Sequence, residues 1–291
     1  MQLFVNDLTV MDFSYLCPER GMVGESWIVD VVLNGALNEE SMVLDFGKVK
    51  KELKYLIDEY VDHKLLIPAE HPFTHIQPDN TSDNVLVHFQ RPEKLIWLNC
   101  PADAYAFVYD TSVNMASVSQ YLKEVIATHL PENVDDIELN LRAEEITTPF
   151  YHYSHGLKKH DGNCQRIAHG HRSKISIQLD QQESLKYQSY WADRWQDIYI
   201  GSEEDIVTFT ELLGPITKKV EENEVLCFSY ESTQGRFELL MPRSECEIVG
   251  TDSTVECLAQ YVADQQKSLT PDNKIRVAAY EGVGKGAIAY A

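Results

Sequence analysis

The sequence predicts an α+β fold built from two similar halves, on three observations. Apolar residues alternate over short runs such as Ile175, Ile177 and Leu179, which is typical of strands. Between Val49 and Tyr60 they recur every three to four positions, which indicates an amphipathic helix. Two stretches about 145 residues apart also repeat one order of features. That order is a hairpin, helices and returning strands, as in α+β domains.

The elements of the first half follow one another in this order. An aromatic segment at residues 12–16 and an apolar run at residues 27–33 predict the strands of a hairpin. A helix is expected at residues 49–60 and a second amphipathic helix at residues 118–127. An alternating strand at residues 137–143 closes this half. The apolar face of the first helix consists of Val49, Leu53, Leu56, Ile57 and Tyr60.

The second half repeats the same order. Residues 152–157 and 175–179 predict its hairpin, residues 255–263 a helix and residues 275–279 the closing strand. Residues 190–207, which lie between these elements, have diverged from the first half.

The boundary between the halves lies near residue 147, so the predicted domains are residues 1–147 and 148–291. The sequence there has no Pro/Gly-rich linker, and we therefore expect the halves to pack directly against each other. The alternative is one large α+β domain whose internal similarity is accidental. An insert at residues 71–99 of the first half has no recognisable counterpart.

Composition and charge exclude several classes of protein. With 44% hydrophobic and 24% charged residues, the 291-residue chain has the composition of a folded protein. Its net charge of −21 argues against a general nucleic-acid-binding protein, because phosphate contacts need a clustered basic surface. No apolar run is long enough to span a membrane and the first residues lack a signal-peptide pattern, so we expect a cytoplasmic protein.

The six cysteines are scattered and form no C-x-x-C motif, so they predict neither a disulfide framework nor a cysteine zinc site. Most are expected to be small buried residues. Cys164 differs, because it lies in a loop with Gly162 and Asn163, five residues before His169. A metal cation or basic groups nearby would favour its thiolate, which is the form that acts as a base.

Three histidines of the second half point to a metal site. His169 and His171 are two residues apart at the start of a predicted strand, so both imidazoles lie on the same face. His155, on the preceding strand, is expected to reach the same point across the hairpin. Three neutral imidazoles with an open fourth position are the ligands of a catalytic zinc site. The alternative is a surface H-x-H pair without metal, which is common.

Residues 158–174 form a basic island in this acidic chain. The segment has a net charge of +4, from five Lys/Arg residues and one Asp. Such an island suits an anionic substrate, whereas the alternative is a solvated loop with no ligand. The five basic residues are Lys158, Lys159, Arg166, Arg172 and Lys174.

These motifs resemble those of the 6-pyruvoyltetrahydropterin synthase and 6-carboxytetrahydropterin synthase family, in a tandem duplication that covers nearly the whole chain. The resemblance is carried by H-G-L at residues 155–157, a cysteine before H-G-H at residues 169–171, M-V-L-D-F at residues 42–46 and the pair Asp62-His63. It implies that Zn²⁺ is bound by His155, His169 and His171.

The resemblance also implies one composite site made from both halves. Cys164 matches the catalytic cysteine of the family, and Asp62-His63 matches its Asp-His pair. In the family, zinc and cysteine come from one subunit and the Asp-His pair from its neighbour. The second half has no Asp-His pair, and at the zinc-ligand positions the first half has Tyr15, Val23 and Glu25. This complementary loss would leave one site per chain or per adjacent pair of chains.

Family members anchor the pterin ring through a glutamate near the end of the last strands, in a pattern like V-x-V-x-E. Glu281 fits this pattern and could pair bidentately with ring hydrogens. Glu145 is a similar residue of the first half, and Glu256 belongs to a segment that resembles the preceding helix motif. We predict all three as substrate-binding residues, without deciding which glutamate serves the composite pocket.

The resemblance implies a zinc-dependent lyase that acts on a small pterin, 7,8-dihydroneopterin triphosphate. We favour the 6-carboxytetrahydropterin synthase branch, which releases acetaldehyde and triphosphate and serves deazapurine synthesis such as that of queuosine. The alternatives are the 6-pyruvoyl branch, which eliminates triphosphate, promiscuous cleavage of dihydroneopterin or sepiapterin side chains, and a non-catalytic pterin-binding or regulatory paralogue. The four residues between Cys164 and His169 fall between the spacings of the two enzyme branches.

The fold implied by the resemblance is a pair of tunnelling-fold (T-fold) domains. Each would be a sheet of four antiparallel strands with two helices on one face. Several such halves would assemble side by side into a barrel that closes the sheet edges. A homo-oligomer is therefore expected, as a dimer or trimer of two-domain chains.

Overall fold

The computed structural model describes residues 1–216 and 220–291 as an α+β protein, as predicted. The helices are α1 Phe46–Tyr60, α2 Met115–Ala127, α3 Leu185–Arg194 and α4 Val255–Leu269. The strands of the first half are β1 Gln2–Cys17, β2 Gly21–Gly35, β3 Leu65–Pro68, β4 Thr74–Pro78, β5 Asn84–Gln90, β6 Leu95–Pro101, β7 Tyr105–Val108 and β8 Val134–Ala143. Those of the second half are β9 Phe150–His155, β10 His169–Leu179, β11 Gln182–Glu183, β12 Ile198–Ser202, β13 Ile206–Val207, β14 Val225–Ser232, β15 Gly235–Pro242, β16 Cys246–Val249, β17 Ile275–Tyr280 and β18 Gly286–Tyr290. Within these two ranges, no helix is both long enough and apolar enough to cross a membrane.

The first sheet belongs to the first half and has the strand order β7-β3-β1-β2-β8. Strands β1, β2 and β8 are antiparallel, but β3 is parallel to both β1 and β7. The prediction of four antiparallel strands is therefore wrong for this sheet. The reason is that β3 lies beside β1 rather than beside β2, so it meets a strand of its own direction.

Helix α1 covers one face of this sheet with the residues that its periodicity predicts. Val49, Leu53, Leu56 and Ile57 are buried. The helix begins after Asp45, whose carboxylate accepts a hydrogen bond from the Lys48 N–H at 3.0 Å. This is the N-cap interaction that satisfies a free amide of the first turn, so the acid of M-V-L-D-F has a structural role at the start of the helix. Residues of α2 complete the same core.

The second sheet belongs to the second half, with the order β16-β12-β9-β10-β17-β18 and β11 beside β10. It also mixes directions, since β12 is parallel to β9 and to β16. In the β9–β10 hairpin His155 pairs with His169, and in the β1–β2 hairpin Tyr15 pairs with Val23. The two hairpins therefore share the register that the alignment of the halves predicts.

A third sheet joins the halves, with the order β13-β14-β15-β6-β5-β4. Strand β15 pairs with β6 in antiparallel register, with Leu239 opposite Leu98. The insert at residues 71–99, which has no counterpart in the sequence comparison, thus pairs with strands from residues 206–242 of the second half. Its apolar residues enter a core shared with the second half.

The β1–β2 and β9–β10 hairpins also contact each other directly. The hydroxyls of Ser14 and Ser154 are hydrogen-bonded at 2.6 Å, and both serines are buried. Gly24 lies against β9, where an added Cβ atom would overlap the carbonyl oxygen of Tyr153. Only glycine permits this approach of the two backbones. The halves therefore pack against each other without a linker between them, and β2 lies beside the strands that carry the histidines.

Candidate active site

His155, His169 and His171 meet on one face of the β9–β10 hairpin. His155 and His169 are cross-strand partners, and His171 lies two residues further along β10. Their ligand nitrogens are all within 4.8 Å of one another, and the Nε2 atoms of His155 and His171 are 3.2 Å apart. All three side chains are buried. The structure therefore brings the three predicted metal ligands together.

Backbone carbonyls orient two of the rings. His155 Nδ1 donates to the carbonyl oxygen of Ser253 at 2.9 Å, and His169 Nδ1 donates to that of Arg166 at 3.1 Å. A carbonyl can only accept, so each Nδ1 carries the proton and each Nε2 presents a lone pair. Such partners are typical of metal-binding histidines, because they fix both the tautomer and the ring orientation.

Asp12 of the first half lies beside the third ring, that of His171. Its Oδ1 lies 3.3 Å from His171 Nδ1, and it accepts a hydrogen bond from Ser26 Oγ at 2.5 Å. Lys285 Nζ lies 3.1 Å from the other carboxylate oxygen. Burial alone would raise the pKa of Asp12, but His171 and Lys285 lower it below its usual range. Asp12 is therefore an ionised carboxylate beside the histidine cluster.

The cluster fits Zn²⁺. Burial and the neighbouring imidazoles lower the pKa values of His155 and His169 well below the usual range, so both rings are neutral. The Nε2 atoms of His155 and His171 are 3.2 Å apart. For a tetrahedral zinc ion with bonds of 2.0–2.1 Å, ligand nitrogens lie about 3.3 Å apart, which matches the observed separation.

The Asp62-His63 pair of the first half lies beside this cluster. His63 Nδ1 is 2.6 Å from Asp62 Oδ2, and the ring centroids of His63 and His169 are 5.2 Å apart. The ligand atoms of His63, Cys164 and His169 all lie within 4.8 Å of one another. One chain thus brings the acid, the imidazole and the thiol to the same place.

Strand β1 holds this pair in position. The His63 N–H donates to the carbonyl oxygen of Asp12 at 2.7 Å, and the Asp12 N–H donates to Asp62 Oδ1 at 2.7 Å. His63 has a positive φ of 56°, which is uncommon for a residue other than glycine. Burial lowers the pKa of His63, but hydrogen bonds with Asp62 and Cys164 outweigh it and raise the pKa to about 10. The imidazole is therefore held as a proton donor next to the thiol.

The three predicted glutamates have different positions. Glu281 lies at the histidine cluster, with Oε1 3.9 Å from His171 Nε2. Glu145 is exposed and lines a cavity of about 320 Å³ together with Tyr280. Glu256 is exposed in the first turn of α4. Among the residues that the structure describes, Glu281 is thus the one of the three that approaches the histidines.

The corresponding positions of the first half hold no metal ligands. Arg20 lies next to Tyr15, at one of these positions, and forms a bidentate ion pair with Asp197 at 2.6 and 2.9 Å. It also donates to the Tyr15 hydroxyl at 3.2 Å. Glu25, at the position that corresponds to His171, is buried, and burial raises its pKa to about 7.

We expect Glu25 to make the free energy of unfolding depend on pH. The unfolded carboxyl ionises near pH 4.5, whereas the folded one keeps its proton until about pH 7, so stability falls as the pH rises through this window. The difference between the pKa values of Glu25 in the folded and unfolded states corresponds to about 3 kcal/mol in the free energy of unfolding. Glu25→Gln should therefore be more stable than the wild type at pH 8 and similar to it at pH 4.5. Urea unfolding at both values tests this, with the exposed Glu256→Gln as the control; an unchanged pH dependence in Glu25→Gln would contradict it.

Sequence reasoning missed three neighbours of the rings, namely Asp12 and the carbonyls of Ser253 and Arg166. Asp12 is the first residue of the aromatic segment, and nothing in its spacing relates it to His171. Ser253 and Arg166 act through carbonyl oxygens, which carry no residue-specific signal in a sequence. The Asp12 contact could only be found from the packing of the halves, and the two carbonyl contacts only from the fold of the second half.

This fold and site define an α+β protein with a three-histidine cluster next to an Asp-His pair and a cysteine. Residues 18–119 match the family model described as 6-pyruvoyl tetrahydropterin synthase, and the matched range includes Asp62 and His63. This match, over about a third of the chain, confirms the resemblance that the motifs predict. The match supports a function of the tetrahydropterin synthase type.

Solved structures of the same description are also similar to this chain. The 6-pyruvoyl tetrahydropterin synthase of Plasmodium vivax is 16% identical, with 51% of this chain and 93% of that chain covered and a TM-score of 0.40. The synthase of Plasmodium falciparum is 13% identical, with 48% and 90% covered and a TM-score of 0.39. No curated protein matches the chain.

Proposed function

We propose that the chain is a zinc-dependent lyase of the 6-carboxytetrahydropterin synthase type, acting on 7,8-dihydroneopterin triphosphate. The single observation that carries the proposal is the approach of His63, from the first half, to Cys164 and His169 of the second half. A protein that only binds pterins would need neither a base nor a proton relay. The two domains, residues 1–147 and 148–291, would each supply one part of the site.

His155, His169 and His171 would hold the metal. Bound there, zinc would supply Lewis-acid chemistry toward the side-chain oxygens of the substrate. The chain's own contribution to this step is orientation, since carbonyl oxygens hold the rings of His155 and His169 and the Asp12 carboxylate lies beside that of His171. The buried surroundings also exclude water and strengthen electrostatic interactions.

Cys164 and His63 would move the protons. The Cys164 thiolate would accept a proton from a carbon atom of the substrate side chain, and the protonated His63 would donate to a side-chain oxygen. Asp62 stabilises the charged imidazole and holds its orientation through the 2.6 Å contact. A raised pKa of His63, to about 10, supports the charged form at neutral pH.

Glu281 is the proposed anchor of the pterin ring. Its carboxylate faces the cluster from the end of β17 and could accept two hydrogen bonds from the ring. The position of the other two glutamates away from the histidines favours Glu281 over Glu145 and Glu256 for this role.

The first test is the zinc content of the purified chain, measured by elemental analysis. We expect about one zinc per chain, because among the described residues the cluster of three imidazoles lies in the second half. A value near zero, even after zinc is added, would contradict the metal site. A value near two would contradict the loss of the site in the first half.

The second test is turnover of 7,8-dihydroneopterin triphosphate by the zinc-loaded chain, with products identified by mass spectrometry. Release of acetaldehyde together with triphosphate supports the 6-carboxy branch. Triphosphate without acetaldehyde supports the 6-pyruvoyl branch, which the description of the matching family favours. Binding of the pterin without turnover would contradict the enzyme and support a pterin-binding paralogue.

We also propose that the chains form a dimer or trimer in which sheet edges pair. Strand β18 ends the second sheet and exposes Ile288 and Tyr290. An exposed apolar edge strand is a surface that proteins usually cover. Light scattering after size-exclusion chromatography measures the mass, and a monomer at working concentration would contradict this assembly.

A further inference from the structure

Lys64 and Arg166, one from each half, are two buried cations beside the His63-Cys164 pair. Lys64 directly follows His63, and Arg166 lies two residues after Cys164. The two residues are only 6% and 4% exposed. Cations buried to this extent are normally paired with an acid, because an isolated buried charge is costly.

Neither cation has an acidic partner at ion-pair distance within residues 1–216 and 220–291. Arg166 donates from Nε to Gln234 Oε1 at 3.2 Å, but its Nη1 is buried without a hydrogen-bond partner. Asp103 and Glu59 act on both charges only at longer range. Burial and the charge of Arg166 lower the pKa of Lys64 to about 8. The pair therefore has no acidic side chain in direct contact among the described residues.

The rest of the basic island has its partners within the protein. Of its five basic residues, Arg166 is the one with a buried and unpartnered nitrogen among the described residues. The island as a whole therefore does not form an anion site, which corrects the broad expectation from the sequence. The partners of the other four are Asp205 and Glu204 for Lys158, Asp252 and Glu204 for Lys159, the Phe150 ring and the Glu144 carbonyl for Arg172, and the Glu144 carboxylate for Lys174.

The first half shows what an arginine at this position binds. Arg20 lies three residues before Val23 and Arg166 three residues before His169, so the two arginines correspond. Arg20 binds the carboxylate of Asp197 in bidentate geometry.

Asp197 in turn corresponds to His63. Each lies two residues before the strand residue that pairs with Ser154 or Ser14, and their φ angles are 57° and 56°. The second half thus supplies a carboxylate to Arg20, whereas the first half supplies an imidazole and Lys64 to Arg166. Arg20 therefore has a carboxylate partner within the protein, whereas Arg166, at the equivalent position, has none among the described residues.

We propose that Lys64 and Arg166 form a subsite for a phosphate-type anion, which is the phosphate end of the substrate. The anion would take the place at Arg166 that the Asp197 carboxylate takes at Arg20. Arginine offers a planar pair of donors that matches phosphate oxygens, and lysine adds a mobile point charge. The subsite itself rests on these contacts, whereas the assignment of the anion to the substrate rests on the proposed function.

Inorganic tripolyphosphate is the probe for the subsite, titrated into the purified full chain and followed by calorimetry and by the shift of the melting temperature. We expect Lys64→Met and Arg166→Met each to weaken its binding by about 10- to 100-fold, because each removes a charged hydrogen-bond donor. Neither should lower the melting temperature of the free protein much, since each replaces an uncompensated buried charge with an apolar side chain. Zinc content is measured before and after, because polyphosphates chelate metal.

Lys158→Met is the matched control, since this lysine belongs to the same basic island but is already neutralised by Asp205 and Glu204. It should bind tripolyphosphate as the wild type does. Equal loss in Lys158→Met would show a diffuse charge effect and overturn the subsite. Wild-type affinity in the folded Lys64→Met and Arg166→Met variants would overturn it as well.

Kinetics separates the source of the anion from the failure of the proposed function. If the substrate's phosphates occupy the subsite, Lys64→Met raises KM for the triphosphate substrate about 10-fold or more and leaves binding of unphosphorylated 7,8-dihydroneopterin unchanged. Tripolyphosphate binding that depends on Lys64 and Arg166 in a chain without turnover would support the subsite and contradict the lyase. Turnover with an unchanged KM would overturn the assignment to the substrate.

Discussion

Replacement of His63 by alanine is expected to lower turnover by about 100- to 10,000-fold while zinc stays bound, as is typical for loss of a positioned acid or base. His63 is the only described imidazole that links Asp62 with Cys164, through a 2.6 Å contact on one side and the thiol on the other. Its removal leaves the site without the group that would donate a proton to the side-chain oxygen of the substrate. The three rings of the metal cluster keep the carbonyl and carboxylate partners that orient them.

The measurement is kcat for 7,8-dihydroneopterin triphosphate, with zinc determined on the same preparation. His129→Ala is the control, because His129 is exposed just beyond α2, in the same half. Asp62→Asn should give a smaller loss, since it keeps a hydrogen-bond partner but removes the negative charge. Normal turnover in purified and folded His63→Ala would rule out the composite site.

The second large effect is expected from His169→Ala, which should reduce the zinc content from about one ion per chain to near zero and abolish turnover. Loss of a group that merely orients a ligand typically costs 10- to 100-fold in metal affinity, and loss of the ligand itself costs more. His169 is buried beside the other two rings, with centroid distances of 4.4 Å to His155 and 5.7 Å to His171.

His152→Ala is the control for this variant. His152 is a buried histidine on the same hairpin, three residues before His155, and its Nδ1 is 2.7 Å from the Gly24 carbonyl oxygen rather than near the cluster. The control separates a general loss of stability from a loss of metal. Zinc retention by His169→Ala at the wild-type level, with folding confirmed by circular dichroism, would show that the cluster is not the metal site.

The sequence was most informative where neighbours along the chain are also neighbours in space. In a hairpin, period-two alternation and cross-strand pairing decide which side chains meet, so His169, His171 and His155 could be placed together from their spacing. The helix face at Val49, Leu53 and Leu56 could be predicted for the same local reason.

Contacts between distant segments required other information. No spacing rule relates His63 to Cys164, and their proximity was expected only because the motifs resemble a family with a shared site. Asp12 and Lys64 were not identified at all, because their roles depend on the packing of β1 and of the residues before β3 against the second half. The pairing of β6 with β15 was missed for the same reason, since it joins strands about 140 residues apart.

The presence of Asp62-His63 and the histidine cluster on one polypeptide has a kinetic consequence. When the parts of a site belong to separate molecules, the fraction of complete sites falls on dilution, whereas covalent attachment gives them an effective concentration in the millimolar range for short connections. Here the connection is the folded chain itself, held by the third sheet and by the contact of Ser14 with Ser154. Assembly of this site is therefore a unimolecular event. The specific activity of the protein should not decline on dilution through separation of Asp62-His63 from the histidine cluster.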